Sequence, residues 1–558
     1  MTQSSDDLTP PRPAGWVRRS LPIPLLLVAT LAALIHIAPL LNAARETPAG
    51  WKLTGFLTGS PDEMQYRMLM QRSLELGPIV DNSLTTEANT PHIPFFFYWG
   101  VGQLSQWLDV GPGLAYAYLG CVFAFLLALL LFWIVDHFST SRYRTWWVYL
   151  CLMFGGGFGA HLLLMNSYWR FRRIDIFQRI VTEGLRDSIV FDSYRNHYIF
   201  TTLFDTHFLF FLLMALLAIM ALYRTLTTFT ILRMLLTASM FGLVTLLHIY
   251  DGVTLLAICA GVVALFWRRG NLPAGQALAT LLVSAVAVGS LIAWQMSLYK
   301  SSGLAIPDWR ATAIYFSELA LAYPLAWGLM AWGLVDYWRN GGLKESFLLG
   351  WAGGCIALTL AGPFYPYSDR GALTLQVPIM IIAGTIYFSA HSRVSLRHAI
   401  IAVAIFGATP IWKLHKQRQT TSFDHHPSGE PPAYIWMSPS HQRISAALLR
   451  DATSRDVLIV DKTNFAYRTD DLWLTIGYPG RLYAGHYGLT PGYDAKRAEV
   501  NAFFVEADSA DGPAFLRRAG IRFVYVRQDQ DVERFSRMPG LVALESTPLG
   551  TLFEFQSP

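Results

Sequence analysis

The sequence predicts a polytopic α-helical membrane protein of about eleven transmembrane helices with a C-terminal soluble α/β domain. Of its 558 residues, 53% are hydrophobic and only 15% are charged, a balance that does not fit a soluble protein of this length. Apolar stretches of roughly 20 residues, long enough to cross a bilayer, recur as far as residue 412. Beyond that point the composition becomes polar.

Each part of the chain has an expected place in this arrangement. Residues 1–17, rich in Ser, Asp, Thr and Pro, are expected to form a disordered cytoplasmic tail. The transmembrane domain is expected over 18–412, with long outer loops at 43–111 and 167–200, and the α/β domain over 413–558. The predicted spans lie near 21–42, 112–135, 145–166, 201–223, 234–250, 252–267, 275–298, 313–337, 345–362, 372–390 and 398–412.

The cations of the short loops indicate the orientation. They fall on one face of the predicted bundle, as Arg18 and Arg19, Arg142 and Arg144, Arg224 and Arg233, Arg268 and Arg269, Arg339 and Lys344, and Arg393 and Arg397. By the positive-inside rule this face is cytoplasmic, so the C-terminal domain would lie on the extracytoplasmic side. The membrane is expected to be a plasma membrane, namely the inner membrane of a bacterium. Because the predicted number of spans is odd, one miscounted helix would move that domain to the other side.

Charge and cysteine content exclude some classes of function. The net charge of +5 is small and lies mostly in short loops, so it indicates no nucleic-acid partner. The four cysteines all lie inside apolar stretches, and no CxxC pair occurs. We interpret them as small buried hydrophobic residues and expect neither disulfides nor thiolate metal sites.

The first outer loop contains the candidate catalytic carboxylates, in the stretch Ser60-Pro61-Asp62-Glu63-Met64-Gln65-Tyr66. Ser60 and Glu63 have the spacing of a helix capping box, and Pro61 falls at the first helical position. This local role explains Glu63 but accounts for Asp62 only in part. A carboxylate at a helix N-terminus stays ionised at neutral pH, which suits a general base.

An aromatic segment follows in the same loop. Pro91-His92-Ile93-Pro94 opens it, and it continues through Trp107. Its rings favour an element lying in the plane of the membrane interface, and a helix packed on top of the bundle is the alternative. Both arrangements place the acidic loop at the membrane surface.

The second outer loop combines arginines with acidic residues. Its cationic and histidine side chains are Arg170, Arg172, Arg173, Arg179, Arg186, Arg195 and His197. A solvated surface explains most of these charges. A cationic cluster at the outer leaflet would also suit an anionic lipid head group, because Arg forks hold phosphate well.

Polar residues at the outer ends of the spans are further candidates, since ionisable groups within spans are costly and usually face a cavity or a partner. Asp205 and His207 open the fourth predicted span. His248 and Asp251 lie in the turn between the fifth and sixth spans, where a purely structural pair is the alternative to a substrate contact. Glu318, inside the eighth span, allows the same two interpretations.

A last membrane motif precedes the tenth predicted span, at Ser368-Asp369-Arg370-Gly371. Arg370 either pairs with Asp369 or reaches a lipid phosphate from the outer mouth of the bundle.

The C-terminal part alternates strands with helices. Beyond a linker around Asp424 to Pro432, strands are expected at 456–460, 521–526, 541–544 and 552–555, with helices near 440–452, 495–505 and 514–519. This order favours a small α/β domain. It has no glycine-rich phosphate loop or nucleophile elbow, so we interpret it as an accessory domain that covers the membrane site or engages an acceptor.

The chain resembles the membrane glycosyltransferases of the GT-C class, especially the aminoarabinose transferases and protein mannosyltransferases. Pro61-Asp62-Glu63-Met64-Gln65-Tyr66 is similar to the Pro-Asp-Glu-x-x-Tyr pattern of their first outer loop. Pro91-His92-Ile93-Pro94-Phe95 and Asp369-Arg370 are similar to two later motifs of the class. The lysine often found beside the proline pair is absent, and with it the contact that it would make.

This resemblance implies a GT-C-like transmembrane domain that moves a sugar from a polyprenyl-phosphate donor to a glycan, lipid or protein acceptor, among membrane lipids. Asp62 would be the catalytic carboxylate and Glu63 a second catalytic or supporting one. The implied substrate-binding residues are Tyr66, His92, Arg195, His197, His207, His248, Asp251 and Arg370. No cofactor is expected, and a divalent metal is compatible with the mechanism but not required by it.

A non-catalytic transporter or assembly protein for lipid-linked glycans is the alternative. Such a protein would need polar residues deep at the membrane midplane. In this sequence the polar residues collect at the outer ends of the spans, which favours chemistry at the surface.

Overall fold

The computed structural model describes residues 22–57, 61–87, 89–157, 161, 198–302, 323–361, 368–424, 431–461, 472–485, 490–505, 511–528 and 530–556. The side chains of 61–65 and 368–369 lie outside this description. Helices and strands are numbered below in chain order.

Six candidate spans in the described residues are long and apolar enough to cross a membrane, which makes this a multi-pass membrane protein. They are Ile23–Arg45 (α1), Pro112–Phe138 (α4), Thr206–Thr227 (α7), Ile249–Arg268 (α9), Ala274–Ser301 (α10) and Leu396–Thr420. The last contains two helices, Leu396–Phe406 (α14) and Ala408–Thr420 (α15). The total of about eleven spans remains a prediction.

Shorter helices complete the bundle. They are Arg142–Phe154 (α5), Ile199–Thr202 (α6), Ile231–Leu247 (α8), Pro324–Asn340 (α11), Leu343–Leu360 (α12) and Gln376–Ala390 (α13). One apolar core runs through these helices and is closed by large buried rings such as those of Trp351 and Tyr149.

Glycines allow a close helix crossing between α9 and α12. A Cβ atom at Gly261 would lie 2.4 Å from the carbonyl oxygen of Gly350, and one at Gly354 would lie 2.5 Å from that of Ala257. Neither position therefore tolerates a side chain. Small residues at such a crossing let two backbones approach closely inside a membrane.

Helix α5 ends well before the predicted limit at residue 166, because three glycines follow Phe154. Each glycine costs about 1 kcal/mol relative to alanine in a helix interior. The chain instead turns toward the junction of α14 and α15, where the Gly156 N–H donates to the Phe406 carbonyl oxygen over 2.9 Å. The Thr409 hydroxyl donates to the Gly157 carbonyl oxygen over the same distance.

The first outer loop folds into two helices and a small hairpin. Pro61–Leu76 (α2) packs on Phe96–Leu108 (α3), and strands Ile79–Val80 (β2) and Ile93–Pro94 (β3) pair between them. Helix α3 buries one face against its neighbours, while its Trp107 is 81% exposed. This arrangement corresponds to a helix packed on the bundle, and the exposed ring suits a membrane interface.

The C-terminal part contains a five-stranded sheet of order β6-β5-β7-β9-β8. Its strands are Val457–Val460 (β5), Arg481–Leu482 (β6), Ile521–Arg527 (β7), Leu541–Thr547 (β8) and Gly550–Phe555 (β9). The first three run parallel and the last two pair antiparallel. Four helices accompany the sheet: Pro439–Asp451 (α16), Tyr493–Val505 (α17), Asp511–Ala519 (α18) and Val532–Ser536 (α19).

The first outer loop and the C-terminal part share structure. Strand Lys52–Leu53 (β1) pairs antiparallel with Trp436–Met437 (β4), and Thr85 forms an isolated bridge with Ala484. Leu84 is fully buried in the same apolar cluster as Leu482. The C-terminal sheet is thus anchored to the loop that carries helix α2.

Candidate functional site

The two candidate carboxylates lie at the start of α2. This helix begins at Pro61, so Asp62 and Glu63 occupy its first turn, as Pro at the first position predicts. Their side chains lie outside the described residues. Residue 62 is one helical turn before Tyr66 on the same face, so the surroundings of Tyr66 define where this turn is anchored.

Tyr66 joins α2 to α3 and α7 through stacked rings. Its ring lies 4.4 Å from that of Tyr98 and 5.3 Å from that of His207, between centroids. The Tyr98 hydroxyl and the His207 Nδ1 atom are 2.7 Å apart and hydrogen-bonded. Tyr98 and His207 are both at most 5% exposed, so this stack is a fixed, buried junction.

The start of α7 is held by Asp205. Its Oδ1 atom accepts the backbone N–H groups of His207 at 3.0 Å and Phe208 at 3.3 Å, which caps the helix. The Tyr116 hydroxyl accepts a second contact from the His207 N–H at 3.0 Å. Asp205 therefore has a clear structural role that places His207 against Tyr66.

His248 and Asp251 form a buried pair at the joint between α8 and α9. His248 Nδ1 and Asp251 Oδ2 lie 3.0 Å apart, at ion-pair distance but without the orientation of a hydrogen bond. The His248 ring is 5.3 Å from that of His207. Among the described residues, neither His248 Nδ1 nor the Asp251 carboxylate oxygens have a hydrogen-bond partner. Buried polar atoms of this kind are where a ligand or ordered water is expected.

Arg370 also lies near the start of α7. Its Cζ atom is 4.7 Å from the centre of the Phe208 ring, and its charge acts on Asp205, His207 and Asp251. The 3₁₀ turn Ser368–Ala372 carries it. A Cβ atom at the next residue, Gly371, would lie 2.5 Å from the Thr359 Oγ1 atom, so the turn rests directly on α12.

His92 lies at a different place, beside the end of α10. Its ring is 5.0 Å from that of Tyr299 and edge-on to it. Nδ1 lies 2.7 Å from the carbonyl oxygen of Thr90, which can only accept, so Nδ1 carries the proton. Burial lowers the pKa of His92, which keeps the ring neutral with Nε2 as an acceptor. Among the described residues this buried Nε2 has no hydrogen-bond partner.

The structure thus brings together Tyr66, His207, His248, Asp251 and Arg370 around the start of α7, with His92 at the neighbouring hairpin. Arg195, His197 and Glu318 lie outside the described residues, as does the Asp369 side chain that could pair with Arg370. In the described part of the chain, no group of three His, Cys, Asp or Glu is placed to hold a metal.

Three residues of this region do not follow from the sequence. Tyr98 and Tyr116 belong to apolar helical stretches, where a tyrosine is ordinarily a core residue. Lys413 lies in α15 with its Nζ atom 6.0 Å from the Phe204 ring, and its charge acts on Asp205. A lysine at the polar end of an apolar stretch is the signal that could have indicated it.

An apolar groove of about 470 Å³ lies between α8 and α10. Small residues on both helices open it, among them Gly242, Ala287 and Ser290. Its lining includes Leu246, which lies two residues before His248 in the chain.

No protein-family model and no curated protein matches the sequence. Solved structures do match its fold. The oligosaccharyltransferase of Archaeoglobus fulgidus in its apo form has 10% identity and a TM-score of 0.54, over 92% of this chain and 70% of that chain. The archaeal oligosaccharyltransferase AglB from the same organism, in complex with an inhibitory peptide and a dolichol-phosphate, has 10% identity and a TM-score of 0.50, over 96% and 74%.

The arabinofuranosyltransferase AftD from Mycobacteria has 14% identity and a TM-score of 0.56, over 97% of this chain and 42% of that one. At these identities the likeness concerns the fold. The chain has the fold of the GT-C membrane glycosyltransferases, as its first outer loop predicts.

Proposed function

We propose that this protein is a membrane glycosyltransferase that moves a sugar from a polyprenyl-phosphate donor to an acceptor at the outer face of the plasma membrane. One observation supports the proposal: the ring of Tyr66, one helical turn after Asp62, stacks on those of Tyr98 and His207, and the His207 ring lies 5.3 Å from that of His248. The names of the similar structures support it, since they are transferases of saccharides and one of them holds a dolichol-phosphate.

The donor has an apolar tail and an anionic head, and the site offers a place for each. The groove between α8 and α10 would take the prenyl chain, because it is apolar and its lining includes Leu246, two residues before His248 in the chain. The phosphate would lie near Arg370, whose guanidinium is suited to paired hydrogen bonds with phosphate oxygens. The sugar would then face the first turn of α2.

Transfer would proceed by one inverting displacement. The Asp62 carboxylate orients the acceptor hydroxyl and takes its proton as the acceptor oxygen attacks the anomeric carbon. The bond from this carbon to the phosphate oxygen breaks, and both electrons stay on the phosphate. Arg370 stabilises the added charge of the departing lipid phosphate. Glu63 supports the loop or binds the acceptor, and no step requires a metal.

The buried pair at the helix joint would hold the sugar. Asp251 is 2% exposed, and its carboxylate oxygens have no hydrogen-bond partner among the described residues. A substrate hydroxyl could supply that missing donor. His248, at 3.0 Å from Asp251, would then be fixed in orientation by the same carboxylate.

The polar groups of this cluster lie at one end of the apolar helices. Asp205 caps the start of α7, and His248 is the residue at which α8 ends and α9 begins. This placement favours chemistry at the membrane surface over transport across the midplane.

The proposal is tested with purified protein in nanodiscs and a panel of radiolabelled polyprenyl-phosphate pentoses and hexoses. We expect transfer from at least one donor, with inversion at the anomeric carbon. The Arg370→Ala variant should lose about 100-fold or more in rate, the range found when a group that stabilises developing charge is removed. No transfer from any donor to any glycan, lipid or protein acceptor would contradict the proposal.

A further inference from the structure

We propose that His36, on α1, is a positioning residue for sugar transfer, because it holds the break between α6 and α7 and so fixes His207 against the ring of Tyr66. The inference rests on the proposed function for the reaction that His36 serves. It assigns a part in the site to α1, a helix in which the sequence patterns indicate no functional residue.

His36 is an ionisable residue within an apolar span. It is 7% exposed and lies near the middle of Ile23–Arg45. Ionisable residues inside membrane spans are costly, and they usually have a specific partner or function. The partner of His36 is the carbonyl oxygen of Leu203, which lies 2.6 Å from Nδ1. Because a carbonyl oxygen only accepts, Nδ1 donates this hydrogen bond.

The Leu203 carbonyl needs a donor because the chain breaks at this point. Three residues separate α6 from α7, and Leu203 is the first of them. In a continuous helix its carbonyl would accept the N–H of His207, four residues later. That N–H instead donates to Asp205 Oδ1 and to the Tyr116 hydroxyl, each at 3.0 Å. His36 therefore supplies the hydrogen bond that the break removes, at a residue that is fully buried.

A glycine on α4 makes room for the His36 ring. A Cβ atom at Gly120 would overlap His36 Nε2 and Thr206 Oγ1. Glycine at this position therefore lets the ring reach the start of α7. The Thr206 hydroxyl lies 3.4 Å from Nε2 and donates to the Tyr116 carbonyl oxygen at 3.1 Å. Three helices, α1, α4 and α7, thus meet around His36.

The break determines where α7 begins and so where His207 lies. Asp205 caps α7 through the backbone N–H of His207, which is available to the cap only because the helix does not continue from α6. The ring of His207 then stacks on that of Tyr66 at 5.3 Å, one helical turn after Asp62. His36 acts on the reaction through Asp205 and His207, which makes it a positioning residue.

A merely structural histidine would satisfy the same carbonyl but would have different consequences. Its loss would lower the stability of the bundle without a selective effect on catalysis. The positioning role predicts a local change at the start of α7 and a fall in kcat with little change in KM, because the alignment of the reacting groups is altered.

The test compares His36→Leu with His36→Asn in the full-length protein in nanodiscs. Leucine keeps apolar volume without a donor, whereas the Asn amide nitrogen can take the place of Nδ1 and donate to the same carbonyl. Amide hydrogen exchange over 203–209 should be about 10-fold faster in His36→Leu, because the unsatisfied carbonyl favours local opening. In His36→Asn it should stay within about 3-fold of wild type.

Sugar transfer gives the second readout. In His36→Leu, kcat should fall about 10-fold to 100-fold while KM changes less than about 3-fold, since small misplacements of reacting groups have large effects on rate. His36→Asn should recover most of this kcat. Gly120→Ala, which displaces the His36 ring without altering it, should match His36→Leu in both readouts.

Asn42→Leu is the matched control. Asn42 lies on the same helix, and its Nδ2 donates to the Thr421 carbonyl oxygen at 2.9 Å, at the end of α15. Its loss removes the same kind of hydrogen bond at a different helix end, so exchange over 203–209 and kcat should stay unchanged. Wild-type exchange in His36→Leu would overturn the proposal, and so would equal changes in His36→Leu and Asn42→Leu.

Failure of this inference is distinguishable from failure of the proposed function, because the exchange measurement needs no substrate. Sugar transfer by wild type with unchanged kcat in His36→Leu would remove His36 from the positioning role and leave the function intact. Faster exchange in His36→Leu of a protein that transfers no sugar would overturn the function and leave His36 as the residue that holds the break.

Discussion

At the scale of single residues, the bond between Tyr98 and His207 holds the site together. The hydroxyl and Nδ1 are 2.7 Å apart in a buried setting. Tyr98→Phe keeps the ring stack but removes this bond from a buried ring nitrogen, which should cost about 1–3 kcal/mol of stability. We expect a lower melting temperature and slower sugar transfer in the same preparation.

Tyr118→Phe is the control for that substitution. Tyr118 is 46% exposed on α4, so loss of its hydroxyl should change neither quantity. An unchanged melting temperature in Tyr98→Phe would show that the bond does not stabilise the fold.

A second residue-scale prediction concerns pH and the C-terminal sheet. Burial lowers the pKa of His441 to about 4, and its Nδ1 atom accepts the Ser438 N–H at 3.2 Å to cap α16. The folded pKa lies below the ordinary value of about 6.5. As the pH falls, His441 therefore takes up a proton in the unfolded chain before it does so in the folded protein. The free energy of unfolding should consequently decrease as the pH falls from 6.5 toward 4.

His441→Gln tests this pH dependence. Glutamine at this position preserves a capping box but does not titrate. Thermal unfolding of the variant should depend less on pH between 6.5 and 4 than that of wild type. Identical pH profiles would exclude His441 as the titrating group.

At the scale of elements, one buried carboxylate joins α2 to the C-terminal sheet. Asp81 is 4% exposed and accepts from Arg72 Nε at 2.6 Å and from Arg481 at 3.0 Å. Arg481 also donates to the Glu87 carbonyl oxygen at 3.0 Å. The C-terminal sheet therefore fixes the end of the helix whose first turn bears the candidate carboxylates.

Arg481→Ala removes this connection. The loss of two bonds that involve a charged group should cost about 2–3 kcal/mol locally. We expect faster proteolysis of the first outer loop and reduced transfer, with kcat lowered because the carboxylates are less well positioned. Arg517→Ala, at an exposed position of α18, should change neither measurement. A rigid loop in the Arg481 variant would contradict this coupling.

The groove between α8 and α10 supports a second prediction at this scale. Ser290→Trp should fill the groove and slow transfer from a long-chain polyprenyl donor more than from a three-isoprene donor. Gly289→Trp, on the neighbouring position of α10, is the control, because Gly289 does not line the groove. An equal effect on long and short donors would show that the prenyl chain binds elsewhere.

At the scale of the whole molecule, local sequence patterns predict the helices and strands but not which of them contact one another. The bilayer imposes a length on apolar helices, so α1, α4 and α10 follow from hydropathy. Strands such as β5 and β7 lie where runs of apolar and β-branched residues predict them. The pairing of Lys52–Leu53 with Trp436–Met437 has no local signal, because two-residue strands carry no periodicity.

The site shows the same division. The turn at His248 and Asp251 follows from the sequence, since a short polar stretch separates two apolar helices. Its approach to His207 depends on how α7 packs beside α8 and α9, and a single sequence does not show that packing. The place of Lys413 in this region is not predictable from the sequence for a similar reason. Its proximity to Asp205 depends on how α15 packs against the start of α7.

The central claim is that the first turn of α2 supplies the catalytic carboxylate, and the Asp62→Asn variant tests it most directly. Its single-turnover rate of transfer from a polyprenyl-phosphate sugar should fall about 100-fold to 10,000-fold, the range for removal of a general base. Asp109→Asn is the control, since Asp109 has a left-handed backbone that asparagine also adopts. An Asp62→Asn rate equal to that of wild type would contradict the account.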